Sequence, residues 1–202
     1  YCLLEDINEE IHERKQLQEL STTDRLTGLP NRALWNDHLG MTLAASRRAP
    51  GSQVAVISLD INQFKMYNDT LGRSVGDMLL RDIAGRLNAV VRESDSLARL
   101  GGDQFGILLQ PVNDARGASE RVITQMLDCF DAPFSCNGKQ LCVNVTLGVA
   151  CFPDHGTSEE TLLTNAESAM YRAKRNGLPI NRYWIWGMVV GGAIAGFAGA
   201  SQ

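Results

Sequence analysis

The chain has 202 residues, of which 44% are hydrophobic, and this suits one medium-sized domain with short flanking segments. Its formal net charge is −4 and no block of lysine and arginine stands out, which argues against a nucleic-acid partner. Five cysteines without CxxC spacing predict core thiols in a reducing cytoplasm, and three scattered histidines argue against a zinc site.

The first half of the chain predicts helices around one buried strand. Residues 5–20 are highly charged with a narrow apolar seam, which fits either a short parallel coiled coil or an ordinary solvated helix. Because the chain begins at Tyr1 rather than at methionine, we expect it to be a piece of a longer protein. The next predicted elements are a helix at about 31–47, a strand at 54–59, and helices at about 62–70 and 76–92.

The second half predicts a hairpin followed by helices and a further strand. Two strand-like runs, 96–100 and 103–109, flank Gly101 and Gly102, and a Gly-Gly pair in this position is a hairpin signal. Then follow a helix at about 114–130, a strand at 141–151 and a helix at 159–176. We therefore predict an α+β fold with a central, mostly antiparallel sheet of about five strands, flanked by helices.

The C-terminal residues 184–202 form an apolar, glycine-rich tail. Residues 184–200 carry no charge over 17 positions, which is the short end for spanning a bilayer. Glycines in this tail repeat the GxxxG spacing of packed membrane helices. A disordered or non-native tail is the alternative, and both interpretations stay open. We expect a cytoplasmic protein, located at the inner face of the membrane if the tail inserts.

Three carboxylates mark a candidate site. Asp60 ends the predicted buried strand, Asp103 follows the Gly-Gly pair, and Asp77 opens a predicted helix. Carboxylates at a strand end and at a hairpin tip can hold a hard divalent cation, whose remaining positions substrate phosphates complete. Each aspartate taken alone is more often a helix cap or a turn residue than a metal ligand.

Four blocks of sequence, in the expected order, resemble the GGDEF domain of diguanylate cyclases. Residues 99–105, RLGGDQF, resemble the GGDEF signature itself. The other three blocks are DRLTGLPNR at 24–32, LDINQFKMYNDTLGRSVGD at 59–77 and MYRAK at 170–174. The resemblance covers about residues 21–183. It implies a nucleotidyl-cyclase-like palm and the condensation of two GTP into cyclic di-GMP by a homodimer, with Mg²⁺ or Mn²⁺ as cofactor.

The resemblance also assigns roles to individual residues. The implied metal ligands are Asp60, Ile61 through its carbonyl, and Asp103. The implied substrate-binding residues are Asn68, Asp77, Gly101, Gly102 and Lys174. The implied catalytic residues are Asp103, Gln104 and Lys65. Among these, Asp77 suits guanine, because one carboxylate can accept from both N1–H and N2–H₂ of that base.

Several positions depart from the family pattern. Gln104 stands where the family has Glu, Asn62 replaces a second Asp, and Arg73 replaces a His. Leu178 takes the place of an Arg that contacts phosphate. Losing one charged contact can cost several kcal/mol in a transition state. We therefore expect impaired turnover in a domain that retains its guanine readers and two metal aspartates.

A second ligand site is implied by Arg92 and Asp95, which form an RxxD motif ahead of the signature. At this register the family binds its product, cyclic di-GMP, as an inhibitor, and arginine can grip guanine or phosphate bidentately. A surface ion pair at a helix end is the alternative. Residues 3–15 are weakly similar to the exit of a PAS sensor, so residues 1–20 would connect an upstream sensor to this domain.

Three functions compete on this evidence. The first is a diguanylate cyclase of reduced activity. The second is an inactive module that binds GTP or cyclic di-GMP and regulates a linked domain such as an EAL phosphodiesterase. The third is a dimerising linker without a ligand, and the retained Asn68, Asp77, Asp60 and Asp103 argue against it.

Overall fold

The computed structural model describes residues 22–175, which contain five helices and six strands. The helices are α1 Arg32–Ser46, α2 Phe64–Leu71, α3 Arg73–Val90, α4 Ala115–Asp131 and α5 Glu159–Arg175. The strands are β1 Gln53–Ile61, β2 Ser96–Gly101, β3 Gln104–Val112, β4 Phe134–Cys136, β5 Lys139–Leu141 and β6 Val145–Phe152. The predictions for residues 1–20 and for the tail at 184–202 lie outside the described residues.

The central sheet has the strand order β2-β3-β1-β6, and each neighbouring pair is antiparallel. The predicted α+β class with an antiparallel sheet is confirmed. The sheet has four strands rather than about five, because β4 and β5 pair only with each other in a separate hairpin. Within residues 22–175, no helix has both the length and the apolar character needed to cross a membrane.

Strand β1 serves two hydrophobic cores, one on each face of the sheet. Its odd-numbered positions from 55 to 61 belong to the core built with α3 and α4. Its even-numbered positions 54 and 56 belong to the core built with α1 and α5. Successive side chains of a strand point to opposite faces, so a strand covered on both sides is apolar almost throughout. The end of β1 is the exception, and the candidate site lies there.

Three sequence predictions need correction. Helix α3 begins at Arg73, directly after Gly72, so Asp77 lies in its second turn and does not open the helix. The turn between β2 and β3 consists of Gly102 and Asp103, so Asp103 precedes the strand that the sequence predicts over 103–109. The predicted strand 141–151 starts only at Val145. Leu141 instead ends β5, where it pairs with Phe134 of β4.

Candidate functional site

A row of three polar side chains crosses the sheet where the apolar pattern of β1 stops. In the strand register Asp60 lies opposite Gln104 of β3 on one side and opposite Thr146 of β6 on the other. Directly opposed residues of antiparallel strands project to the same face, which here is the face covered by α5. Asp60 is only 6% exposed. A buried carboxylate at this position needs a compensating partner, since burial of an unpaired charge is costly.

The turn that carries Asp103 is tied to the end of β1. The backbone N–H of Ile61 donates to the carbonyl oxygen of Asp103 at 3.1 Å. Burial raises the pKa of the Asp103 carboxyl, and the negative charge of Asp60 raises it further. The two aspartates are therefore neighbours, as the sequence predicted from their places at a strand end and a hairpin tip.

The residues present fit a divalent cation. Two adjacent carboxylates repel each other, and oxygen ligands of this kind are those that Mg²⁺ prefers. Residues 22–175 contain no group of three or more His, Cys, Asp or Glu side chains that could hold a metal. The donor set would thus be Asp60, Asp103 and the carbonyl of Ile61, with the rest of the shell left to phosphate and water, as is usual for Mg²⁺.

Lys174 faces the same carboxylate from helix α5. Its Nζ lies 2.5 Å from Oδ1 of Asp60. The helix can come this close because β6 has a glycine beneath it: a Cβ at Gly148 would collide with the carbonyl oxygen of Ala166 and the backbone N of Met170. The family resemblance assigned both Asp60 and Lys174 to the site, but nothing in the sequence indicated that these two residues would contact each other.

Helices α2 and α3 bring Asn68 next to the residue that precedes Asp77. A Cβ at Gly76 would collide with Oδ1 of Asn68, so the glycine leaves the space in which that amide lies. Gly72, with φ of +89°, provides the sharp connection between the two helices. Asn68 is half-buried and Asp77 exposed, and both are accessible to a ligand. Lys65 is exposed on the first turn of α2.

The backbone at Gly101 and Gly102 is fixed by hydrogen bonds from an arginine, Arg99. Sequence reasoning missed this role. Gly101 and Gly102 have φ values of +131° and +55°, which L side chains rarely adopt. Arg99 donates to the carbonyl oxygen of Gly102 from Nε at 3.1 Å and from Nη2 at 2.7 Å. Its Nη1 donates to both carboxylate oxygens of Asp24, at 3.0 and 3.1 Å. Arg99 and Asp24 both lie inside the motif blocks at 99–105 and 24–32. Their place in these blocks was the signal by which the sequence could have indicated this role.

A polar cavity of about 380 Å³ adjoins Lys174. Its wall is formed by Asn62, Gln63, Tyr67, Asn144, Thr146, Ala173 and Lys174. Within it Oγ1 of Thr146 donates to Oδ1 of Asn62 at 2.7 Å. The sequence identified Asn62 as a departure from the family, but it gave no role to Thr146.

The predicted product site lies in a different part of the molecule. Arg92 and Asp95 line a groove of about 900 Å³ between α1, the end of α3 and the edge of the sheet. One oxygen of Asp95 accepts from the backbone N of Gln110 at 2.9 Å. Gln110 is six residues along β3 from Gln104, which is about 20 Å in a strand. The structure therefore keeps the Arg92 groove apart from the Asp60 site.

Known proteins are similar to this chain in sequence and in fold. A profile described as "Diguanylate cyclase, GGDEF domain" matches residues 21–178. Diguanylate cyclase TpbB of Pseudomonas aeruginosa (strain UCBPP-PA14) is 39% identical over 167 residues, which are 81% of this chain and 37% of TpbB. The crystal structure of the TpbB GGDEF domain superposes with a TM-score of 0.71, covering 74% of this chain and 92% of that domain at 39% identity.

Two further relatives carry different names. Signaling protein YkoW of Bacillus subtilis (strain 168) is 35% identical over 184 residues, which are 91% of this chain and 23% of YkoW. Cyclic di-GMP phosphodiesterase PdeR of Escherichia coli (strain K12) is 33% identical over 176 residues, which are 87% of this chain and 26% of PdeR. The chain thus spans less than two fifths of the length of each curated relative named. With its signature turn beside the Asp60 carboxylate and a family profile along most of its length, this chain belongs to the GGDEF family of cyclic-di-GMP signalling domains.

Proposed function

We propose that this domain binds GTP and, as a homodimer, condenses two GTP molecules into cyclic di-GMP at a reduced rate. The observation that carries the proposal is the grouping of Asp60, Asp103 and Lys174 at the end of the central strand β1. Two carboxylates and an ammonium suit a metal-bound triphosphate, since the carboxylates would hold a divalent cation and the ammonium would contact phosphate. This substrate would place the domain on the cytoplasmic side.

Guanine would be read at Asn68 and Asp77. Asp77 accepts from N1–H and N2–H₂ of guanine, whereas adenine presents an acceptor at N1 that a carboxylate repels. Asn68 adds an amide whose position depends on the space above Gly76. GTP rather than ATP is therefore the proposed nucleotide.

The chain's own residues would hold the triphosphate and orient it for attack. Gly101 and Gly102 let the phosphates approach the backbone, and Lys174 and Lys65 supply positive charge. Asp60, Asp103 and the carbonyl of Ile61 would hold Mg²⁺ or Mn²⁺, which would supply neutralisation of phosphate charge. The second domain of the dimer would present its own GTP, so that the 3′-hydroxyl of one attacks the α-phosphate of the other and pyrophosphate leaves.

Gln104 is the reason to propose a reduced rate. It stands opposite Asp60 in the register and carries a neutral amide where the family signature has a carboxylate. The substitution removes negative charge beside the metal ligands and the attacking hydroxyl, while nearly preserving side-chain size. The substitution does not alter the proposed guanine readers on α2 and α3. GTP binding should therefore be retained even where the rate of cyclic di-GMP formation is reduced.

A second candidate is a regulatory module that binds GTP or cyclic di-GMP without turnover and controls a linked domain, such as a sensor or an EAL phosphodiesterase. Two observations favour it: the neutral Gln104 and Asn62 in the site, and the separate groove at Arg92 and Asp95. The similarity to PdeR, a relative named as a phosphodiesterase, supports the same possibility.

One experiment separates these functions. The purified chain is titrated with GTP and with ATP in Mg²⁺ or Mn²⁺, and the mixtures are then analysed for cyclic di-GMP. Binding of GTP with slow product formation supports the cyclase, and binding without product supports the regulatory module. Asp77→Ala and Asn68→Ala should abolish GTP binding with the fold intact. Equal affinity for ATP and GTP would refute the proposal that Asn68 and Asp77 read guanine.

A further inference from the structure

Helix α2 carries the proposed guanine reader Asn68 but is itself weakly anchored. It has eight residues, Phe64–Leu71, and none of them is buried. The residue that precedes it, Gln63, has a left-handed backbone and makes no capping hydrogen bond from its side chain. An isolated helix of this length is unstable in water, so the position of α2 depends on its contacts with the rest of the domain.

The apolar contacts of α2 lie along one of its faces. Phe64, Tyr67 and Leu71 recur at helical spacing and pack against the core built with α3 and α4. The ring of Phe64 and the amide of Asn68 both lie over Gly76 of α3, where a Cβ would meet the two side chains. Apolar packing brings the two helices together, but it has no preferred direction and fixes the rotation of a short helix only loosely.

A directional contact comes from Tyr67. Its hydroxyl donates to the carbonyl oxygen of Cys142 at 2.8 Å, across 75 positions of the chain. Two residues further on, the carbonyl oxygen of Asn144 accepts from the backbone N of Asn62 at 2.8 Å. The segment 142–144, which joins β5 to β6, is therefore bonded to the chain just before α2 and again to the middle of the helix.

The rotation of α2 decides where the Asn68 amide lies. Tyr67 and Asn68 are consecutive in the helix, so their side chains leave it in directions about 100° apart. A rotation that breaks the bond between Tyr67 and Cys142 would turn Asn68 by the same angle. That turn would carry the amide out of the space above Gly76.

We infer that Tyr67 is a positioning residue for guanine recognition: its hydrogen bond to Cys142 fixes the rotation of α2, so that Asn68 presents its amide to the base. The inference rests on the proposed role of Asn68 and adds the residue that aims this side chain. Tyr67 acts through Asn68 and needs no contact of its own with the nucleotide.

The test compares Tyr67→Phe with the parent in calorimetric titrations of GTP in Mg²⁺. The substitution keeps the aromatic ring and removes only the hydroxyl. GTP affinity should fall about threefold to tenfold, which corresponds to the loss of one hydrogen bond. In nuclear magnetic resonance spectra without nucleotide, the side-chain amide signals of Asn68, assigned with the help of Asn68→Ala, should shift or broaden in Tyr67→Phe.

Two controls separate positioning from a general loss of stability. Ser119→Ala removes a buried hydroxyl on α4 that donates to the carbonyl oxygen of Ala115 at 2.6 Å, so it also loses one hydrogen bond. Tyr171→Phe makes the same chemical change as the test variant at an exposed position of α5. Both should leave the GTP affinity and the Asn68 amide signals unchanged. Thermal melts monitored by circular dichroism confirm that each variant is folded.

The outcomes distinguish this inference from the proposed function. If Asn68→Ala abolishes GTP binding but Tyr67→Phe binds GTP as the parent does, the positioning role is wrong and the guanine site stands. Unchanged Asn68 amide signals in Tyr67→Phe, or an equal loss of GTP affinity in Ser119→Ala, would likewise overturn the inference. If Asn68→Ala keeps full GTP affinity, the inference fails together with the proposed role on which it rests.

Discussion

The ammonium of Lys174 lies 2.5 Å from a carboxylate oxygen of Asp60, although the two residues are 114 positions apart in the chain. The lysine side chain is 45% exposed and the aspartate side chain 9% exposed. The ammonium therefore supplies, from the surface, the positive charge that the buried carboxylate requires. It would also compete with a divalent cation for the same oxygen.

This competition predicts opposite effects of one substitution. Lys174→Met keeps much of the side-chain length and removes the charge, so Mn²⁺ alone should bind Asp60 several-fold more tightly. GTP should bind about tenfold more weakly, because a charged phosphate contact is lost. Calorimetric titrations of Mn²⁺ and of GTP into both proteins measure the two constants. An unchanged Mn²⁺ affinity would show that the lysine does not compete.

The second prediction uses two glycines of the same helix. Gly76→Ala should displace the Asn68 side chain and weaken GTP binding at least about tenfold, although neither proposed guanine reader is substituted. Gly85→Ala is the matched control, because a Cβ there meets open space. It should leave binding unchanged and raise the free energy of unfolding by about 0.5–1 kcal/mol. Full GTP affinity in Gly76→Ala would refute the proposed role of Asn68.

The local elements could be predicted because their signals are local. Period-two and helical spacing, together with glycine and proline punctuation, located the five helices and the long strands to within a few residues. The β4–β5 hairpin was missed because three-residue strands have no measurable period. Yet Asn137 and Gly138, both with positive φ, are a known hairpin pair that the sequence displays.

The contacts within the site could be predicted only in part. Asp60 and Asp103 were expected at neighbouring strand ends because a hairpin beside a strand brings them there. The bond between Thr146 and Asn62 depends on the register of β1 against β6, and neither segment alone determines that register. The contact between Lys174 and Asp60 depends likewise on how closely α5 packs on Gly148.

A pH-dependent contribution to stability is expected from Asp24. Burial raises the pKa of this carboxyl, but hydrogen bonds from Thr27 and Arg99 outweigh burial, so the pKa lies below its ordinary value. The stabilisation is therefore fully present above the unfolded pKa of about 3.9 and is lost as pH falls through the lower folded value. Asp24→Asn should lower the free energy of unfolding by about 1 kcal/mol at pH 7.

Urea denaturation of both proteins between pH 3 and pH 7 measures that difference. We expect it to be constant above about pH 5 and to shrink towards pH 3. The variant should also turn over GTP more slowly, because Arg99 would hold the Gly102 carbonyl less firmly. A stability difference that grows as the pH falls would contradict the assignment.

In the proposed function, the site retains GTP binding and has a reduced catalytic rate because of Gln104. Gln104→Glu returns a carboxylate opposite Asp60 without changing side-chain size, and one such electrostatic group is typically worth about 10²–10³ in rate. The gain should fall below that range, because Asn62 and Leu178 remain altered. GTP affinity should differ little, since the proposed guanine readers, Asn68 and Asp77, are unchanged.

The decisive measurement is the initial rate of cyclic di-GMP formation from GTP and Mg²⁺ by the parent and by Gln104→Glu, with GTP affinity measured on the same samples. We predict similar affinities and a markedly faster variant. If the parent already forms cyclic di-GMP at the rate of the variant, Gln104 does not impair catalysis and the account of a weakened site is wrong.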